Sequence, residues 1–165
     1  MGRGGASRFD GSLNSRDLAS VTDASNMFRG AAGFDGDVSA WDVSAMWDVF
    51  RMFEWAINFD WDIRNWNVSL VTDTSSMFRE ASTFDKDLAN RNVDGVKNME
   101  AMFNGASTFN GDVSPWNVEA ATNTAKMFLR ATNFDGDVSN WVLSGVTERR
   151  VQLGRVAHSI GLFHV

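Results

Sequence analysis

The residues best placed to do chemistry are acidic triplets that recur along the chain: Asp35-Gly36-Asp37, Asp60-Trp61-Asp62, Asp85-Lys86-Asp87, Asn110-Gly111-Asp112 and Asp135-Gly136-Asp137. Alternating carboxylates supply calcium loops, and paired carboxylates can share general acid–base work. The residue types argue against both uses. The middle position accepts Trp61 and Lys86, and an ammonium sits badly beside a bound cation. Asn110 replaces the first acid, which keeps the hydrogen-bonding shape and loses the charge. Each copy offers two side chains where calcium takes roughly six to eight oxygens. Near-copies in register also make no single specialised cleft. The expectation is an Asx-type turn: the first side chain caps local N–H groups, and the second acid bonds the backbone of the next repeat. His158 and His164 are the only histidines and lack a nearby acidic cluster, so neither a metal pair nor a catalytic triad forms around them. No catalytic residue, metal or cofactor is expected, and the chain does not read as an enzyme.

The elements that must position these triplets are repeats. Phe-Asp or Phe-Asn pairs begin at Phe9, Phe34, Phe59, Phe84, Phe109 and Phe134, a constant step of 25 residues. Met-Phe pairs keep the same step at Met27, Met52, Met77, Met102 and Met127, as do Ala31, Ala56, Ala81, Ala106 and Ala131. Trp41, Trp66, Trp116 and Trp141 form a further column that Arg91 interrupts. Eleven of the 13 phenylalanines fall in just two columns. A fixed period without insertions marks a solenoid, in which each unit buries its apolar face against its neighbours.

Two periodicities alternate inside a unit. Val38, Trp41 and Val43 alternate in and out as a short strand does. In VTDASNMFRGAAGF the apolar positions Val21, Ala24, Met27, Phe28, Ala31 and Phe34 are spaced as one helical face, with Thr22, Thr72 and Thr122 as N-caps. The predicted fold is therefore α/β: a right-handed solenoid with one short parallel strand and one short helix per 25-residue repeat. Residues 1–8 form a partial repeat, 9–147 about five and a half repeats, and 148–165 a non-repeating tail. The helical spacing of Leu153, Val156, Ala157, Ile160 and Phe163 predicts a capping helix there, with Arg149, Arg150 and Arg155 available to an acidic partner.

The unit VTDTSSMFREASTFDKDLANRNV resembles the BspA-like, DUF285-type leucine-rich repeat of bacterial and mycoplasmal surface proteins. The Met-Phe, Ala-x-x-Phe and Trp-Asp/Asn-Val stations carry the likeness over residues 9–147. It implies a leucine-rich-repeat-like solenoid with a binding or adhesion role at the cell surface or outside the cell, and no catalytic residue. The start MGRGGASRFDG has no apolar segment of a secretory signal.

Composition narrows the partner. A formal charge of −6 disfavours nucleic acid and anionic lipid, and no apolar run reaches the roughly 20 residues that span a bilayer. The absence of cysteine excludes disulfides and thiolate metal sites. Between the inward strand stations lie Asp42, Asn65, Asn67, Asn90, Asn92 and Asn117, a row expected on the concave face, where an Asn ladder can bond to itself along the stack or hydrogen-bond peptide or glycan. Asn67-Val68-Ser69 is a glycosylation sequon. Trp47, Trp55 and Trp61 replace Thr, Gly and Gly of neighbouring repeats; such a local surplus of surface tryptophan is what a protein contact looks like, the competing reading being that they cover one another or a terminal segment. The expected role is a non-catalytic protein-interaction or scaffold module, an accessory subunit of a larger assembly. The alternative is an exported adhesin-like fragment that binds glycan or protein through the Asn-rich face.

Overall fold

The computed structural model describes residues 17–146. The expectations for residues 1–8, for Phe9 and for the tail 148–165, with its capping helix, arginines and histidines, lie outside the described residues. Within them the chain winds in 25-residue register: coil 1 is 17–41, coil 2 is 42–66, coil 3 is 67–91, coil 4 is 92–116 and coil 5 is 117–141. Asp23, Asp48, Asp73, Asn98 and Asn123 pair in sequence through parallel single-residue bridges, one from each coil.

The expected strand and helix do not form. Among the described residues there is no helix, and strand pairing is confined to those single-residue bridges, so the α/β solenoid is overturned. The segment expected to be helical is a ribbon of overlapping turns. In coil 2, Met52, Glu54 and Ala56 donate their N–H groups three residues back, to the C=O groups of Val49, Arg51 and Phe53. The alternate N–H groups, of Val49, Arg51, Phe53 and Trp55, donate to Asp73, Ser75, Met77 and Arg79 of coil 3. An α-helix would spend every one of these donors on its own fourth-preceding carbonyl, leaving none to join coils. Arg51 and Trp55 have φ of 56° and 64°, the third-residue conformation of a type II turn, and the equivalent residues of the other coils share it.

The physical reason lies in the spacing between coils. Successive rings Phe28–Phe53, Phe53–Phe78, Phe78–Phe103 and Phe103–Phe128 stack at 5.4, 5.8, 5.7 and 5.5 Å. That matches hydrogen-bonded backbones about 4.8 Å apart, whereas packed helices need about 8–10 Å between axes. Steps of three and four residues point Val49, Met52, Phe53, Ala56 and Phe59 inward in a turn ribbon as well as in a helix, so periodicity alone did not separate the two.

The expected strand is likewise two corners. Trp41 N–H reaches Val38 C=O at 3.1 Å and Met46 N–H reaches Val43 C=O at 3.0 Å. Each corner opens on an Asx turn, with Ser39 N–H on Asp37 Oδ1 at 2.9 Å and Ser44 N–H on Asp42 Oδ1 at 3.0 Å. A third Asx turn, Phe50 N–H on Asp48 Oδ1 at 2.8 Å, starts the ribbon.

The acidic triplets divide their work in the reverse of the expected order. The second acid caps locally: Arg64 N–H on Asp62 Oδ1, Ala89 N–H on Asp87 Oδ1 and Ser114 N–H on Asp112 Oδ1 lie at 2.8–2.9 Å. The first residue accepts the N–H of its equivalent one coil on, as in Asp85 to Asp60, Asn110 to Asp85 and Asp135 to Asn110. Only an acceptor oxygen is needed there, which explains why Asn110 serves. Lys86 Nζ meets Asp60 Oδ2 at 2.6 Å, so the ammonium in the triplet pairs with the preceding coil.

Phenylalanine, methionine and tryptophan columns fill the interior. Three buried indoles also tie coils together: Trp66, Trp116 and Trp141 Nε1–H donate to the carbonyls of Val38, Leu88 and Val113. Arg91 breaks this column. Its guanidinium donates instead to the carbonyls of Trp66 and Arg64, its Nε is buried without a partner among the described residues, and burial pushes its pKa down. Arg91→Trp is expected to restore a stack from Trp66 to Trp116 and raise stability by about 0.5–1.5 kcal/mol. Thermal unfolding would register this as a Tm increase of a few degrees, and a lower Tm would refute it.

Candidate binding groove on the turn ribbon

Outside the core, the turn ribbon carries a groove of about 480 Å³ across coils 2 to 5. Its depth comes from residue size. Ser75, Ser76, Ala101 and Asn104 are small or buried and form the floor, while Phe50 and Arg51 rise at one end and Lys126 at the other. The Arg51 guanidinium lies 4.5 Å from the centroid of the Phe50 ring. Columns along the stack set the charge. Asp48, Asp73 and Glu100 occupy the earlier ribbon stations, and Arg51, Arg79 and Lys126 the later ones, so the lining carries acids on one flank and bases on the other.

The basic flank is organised by Glu54, whose side chain is 1% exposed. Its Oε2 meets Arg29 Nε at 2.6 Å, its Oε1 meets Arg79 Nη1 at 2.9 Å, and Arg51 Nε approaches Oε2 at 3.6 Å. One carboxylate thus serves three guanidinium groups drawn from coils 1, 2 and 3. A second bridge skips a coil: Glu80 Oε1 accepts from Arg130 Nη1 at 2.8 Å. Gly105 makes that reach possible, because a Cβ there would stand 2.6 Å from the Glu80 carboxyl carbon. These ion pairs escaped sequence reading, although Arg29, Glu54 and Arg79 alternate in sign at the 25-residue step.

The acidic flank is a stack of like charges. Desolvation pushes the Asp48 carboxyl above its ordinary pKa, and the neighbouring charges of Asp73 and Asp23 add to the rise. Further along the column Asn98 and Asn123 relieve the repulsion, with Asn98 Nδ2 donating to Asp73 Oδ2 at 3.1 Å. A raised folded-state pKa means that this group favours folding below the normal carboxylate range and loses that contribution as pH rises through its raised value. Asp48→Asn keeps the acceptor for Phe50 N–H and removes the charge. The variant should be more stable than the parent at neutral pH by about 0.2–1 kcal/mol, with the difference vanishing on acidification below about pH 4. Thermal melts across that range check it, and a margin that grows with acid would contradict it. By contrast the exposed Asp23, Asp112 and Asp137 are held below the ordinary value, chiefly by the backbone N–H of Ser25, Ser114 and Ser139; Asp42 is held low chiefly by the Ser44 hydroxyl.

The candidate tryptophans separate into two kinds. Trp47 and Trp55 are exposed, at 49% and 41%, and stand at the two ends of the ribbon segment that contributes Asp48, Phe50 and Arg51 to the groove. Trp55 holds a left-handed φ of 64° at a station where Gly30 and Gly105 stand in coils 1 and 4. Trp61 is half-buried against the core, and its Nε1–H donates to Asp35 at 3.0 Å. The row Asp42, Asn65, Asn67, Asn90, Asn92 and Asn117 is exposed. It is not the outward side of a sheet, since Asp42, Asn67, Asn92 and Asn117 each open an Asx turn by accepting the N–H two residues on. The Asn Nδ2 groups of that row take no part in those turns. No group of three or more His, Asp or Glu side chains is placed to hold a metal among the described residues. Nor is any helix there long and apolar enough to cross a membrane.

A family model described as a Mycoplasma protein of unknown function, DUF285, matches residues 4–90 and again 58–158. The chain belongs to the DUF285 family. The overlapping matches reflect the repeat, because either span includes several 25-residue units. No curated protein and no solved structure matches this DUF285 chain.

Proposed function

We propose that this DUF285 protein is a non-catalytic protein-interaction module, an accessory subunit that docks on a larger assembly through the coil 2 ribbon and its groove. The observation that carries this reading is the exposure of Trp47 and Trp55 at the two ends of the groove-lining segment. Large exposed aromatics beside arginine are the anchors from which protein interfaces draw most of their affinity.

The test uses residues that the same stations already hold in other coils. The double variant Trp47→Thr and Trp55→Gly should fold at least as stably as the parent and lose the protein that co-purifies with the tagged chain from its source cells. Val142→Ser, which alters an exposed apolar residue beyond coil 5, should keep that protein. Retention of the partner by the tryptophan double variant rejects the reading.

The adhesin-like alternative rests on the exposed asparagine row and on the likeness of the unit to BspA-like repeats of surface proteins. In that reading the Nδ2 groups of Asn67, Asn92 and Asn117 donate to glycan hydroxyls. Asp42 shows that the turn accepts Asp, so the triple Asn→Asp variant should fold and lose binding on a glycan array. An array blank for the parent removes this alternative.

A further inference from the structure

The groove floor contains polar groups that the fold itself does not use. Ser76 and Asn104 are 8% and 7% exposed and line the groove, yet neither side chain has a hydrogen-bond partner among the described residues. The Nε atoms of Arg51 and Arg79, also in the groove lining, are buried without a hydrogen-bond partner among the described residues, and a buried polar group left unpaired is costly. The repeat does not demand polarity at these stations, because Ala101 holds the Ser76 station one coil later and Leu129 holds the Asn104 station. Beside them Arg51 and Arg79 share the single carboxylate of Glu54 with Arg29, so this flank carries more positive charge than its own counter-ion neutralises. Lys126 closes the far end without an ion pair among the described residues.

We propose that this groove binds an extended peptide segment of mixed charge. A carboxylate of the peptide lies against Arg51 and Arg79, and its backbone amides pair with the Ser76 hydroxyl and the Asn104 amide. An amide side chain offers both a donor and an acceptor, the complement of a peptide group. Asp48, Asp73 and Glu100 on the opposite flank repel a second carboxylate there and attract a lysine or arginine of the same segment. The groove therefore selects an acidic residue followed or preceded by a basic one, rather than a polyacid or an apolar strand. This rests on the protein-interaction reading above and names the chemistry of the partner segment.

The experiment pans a phage-displayed library of random short peptides against the full chain and against the double variant Ser76→Ala and Asn104→Leu. Enriched peptides should combine Asp or Glu with Lys or Arg. A synthetic peptide of the enriched sequence should bind the double variant and, separately, Arg51→Gln with affinity reduced by roughly tenfold or more. The double variant should melt within a few degrees of the parent, since Ala101 and Leu129 hold the same stations one coil later, and this separates lost binding from lost folding. No enrichment, enrichment of purely basic, polyacidic or apolar peptides, or an affinity unchanged in the double variant overturns the proposal. If the groove variants leave peptide affinity unchanged while Trp47→Thr and Trp55→Gly still release the native partner, the peptide site falls and the interaction surface stands. If peptide binding depends on the groove while the native partner ignores the tryptophan changes, the peptide site stands and the tryptophan surface falls.

Discussion

Phe78→Ala should destabilise the protein by about 3–5 kcal/mol, a large share of the roughly 5–15 kcal/mol that holds a typical domain folded. Phe78 is fully buried in the middle coil. Its ring stacks on Phe53 of coil 2 at 5.8 Å, on Phe103 of coil 4 at 5.7 Å and on Phe84 of its own coil at 4.1 Å. Removing it opens a cavity that the stack cannot close, because the coil pitch is set by backbone hydrogen bonds on either side. Apart from the Glu80–Arg130 bridge, the bonds between coils join neighbours, so a defect at the centre also weakens the coupling of coils 1 and 2 to coils 4 and 5. Urea unfolding followed by tryptophan emission is expected to show a lower midpoint and a broadened transition. The matched control is Phe28→Ala in coil 1, where the ring is only half-buried and the loss should be clearly smaller. Equal losses at the two positions would mean that the ring column is not a cooperative spine.

The sequence made the register legible and left the backbone path illegible, and both outcomes have a physical cause. Column identity depends on which side chains are buried, and burial is a property of residue type; Phe34, Phe59, Phe84, Phe109 and Phe134 could be read directly as core. The choice between helix and turn ribbon depends on where each N–H is spent. Inward steps of three and four residues satisfy either arrangement, and only the 5–6 Å ring spacing of stacked coils excludes the helix. One local clue was present. Asn26, Gly30 and Gly105 stand at the left-handed stations that such turns favour, but Arg51, Trp55, Lys126 and Arg130 at the same stations obscured it. The site was legible in the same partial way. Trp47 and Trp55 stood out by breaking their columns and are exposed, whereas Trp61 broke its column and lies against the core, donating a hydrogen bond to Asp35. The groove depends on the small side chains of coils 3 and 4 lying between Arg51 and Lys126, a relation of size across coils that no single repeat displays. The Glu54 cluster was within reach of the sequence, had charge been read down the columns as apolarity was.

Glu54→Gln should cost about 2–3 kcal/mol. Removing one partner of a buried ion pair costs about 3–5 kcal/mol, and the partly exposed guanidinium groups here are screened enough to lower that figure. Glutamine keeps the length and one acceptor oxygen, so the loss isolates charge: Arg29, Arg51 and Arg79 are left facing one another without a counter-ion. Two further measurements distinguish this cause from a packing defect. Salt should recover part of the Glu54→Gln loss by screening the arginines while changing the parent little. Glu54→Leu combined with Arg79→Leu should be more stable than the sum of the single losses by about 0.5–3 kcal/mol, because Leu129 shows that the station accepts leucine and the second change removes the charge the first leaves unpaired. A Glu54→Gln loss that ignored salt, with strictly additive leucine variants, would assign the cost to packing. The outcome bears on binding as well. If one carboxylate restrains three arginines across three coils, the ribbon holds a net positive flank at the groove in the unbound protein, and an incoming carboxylate meets charge already positioned to receive it.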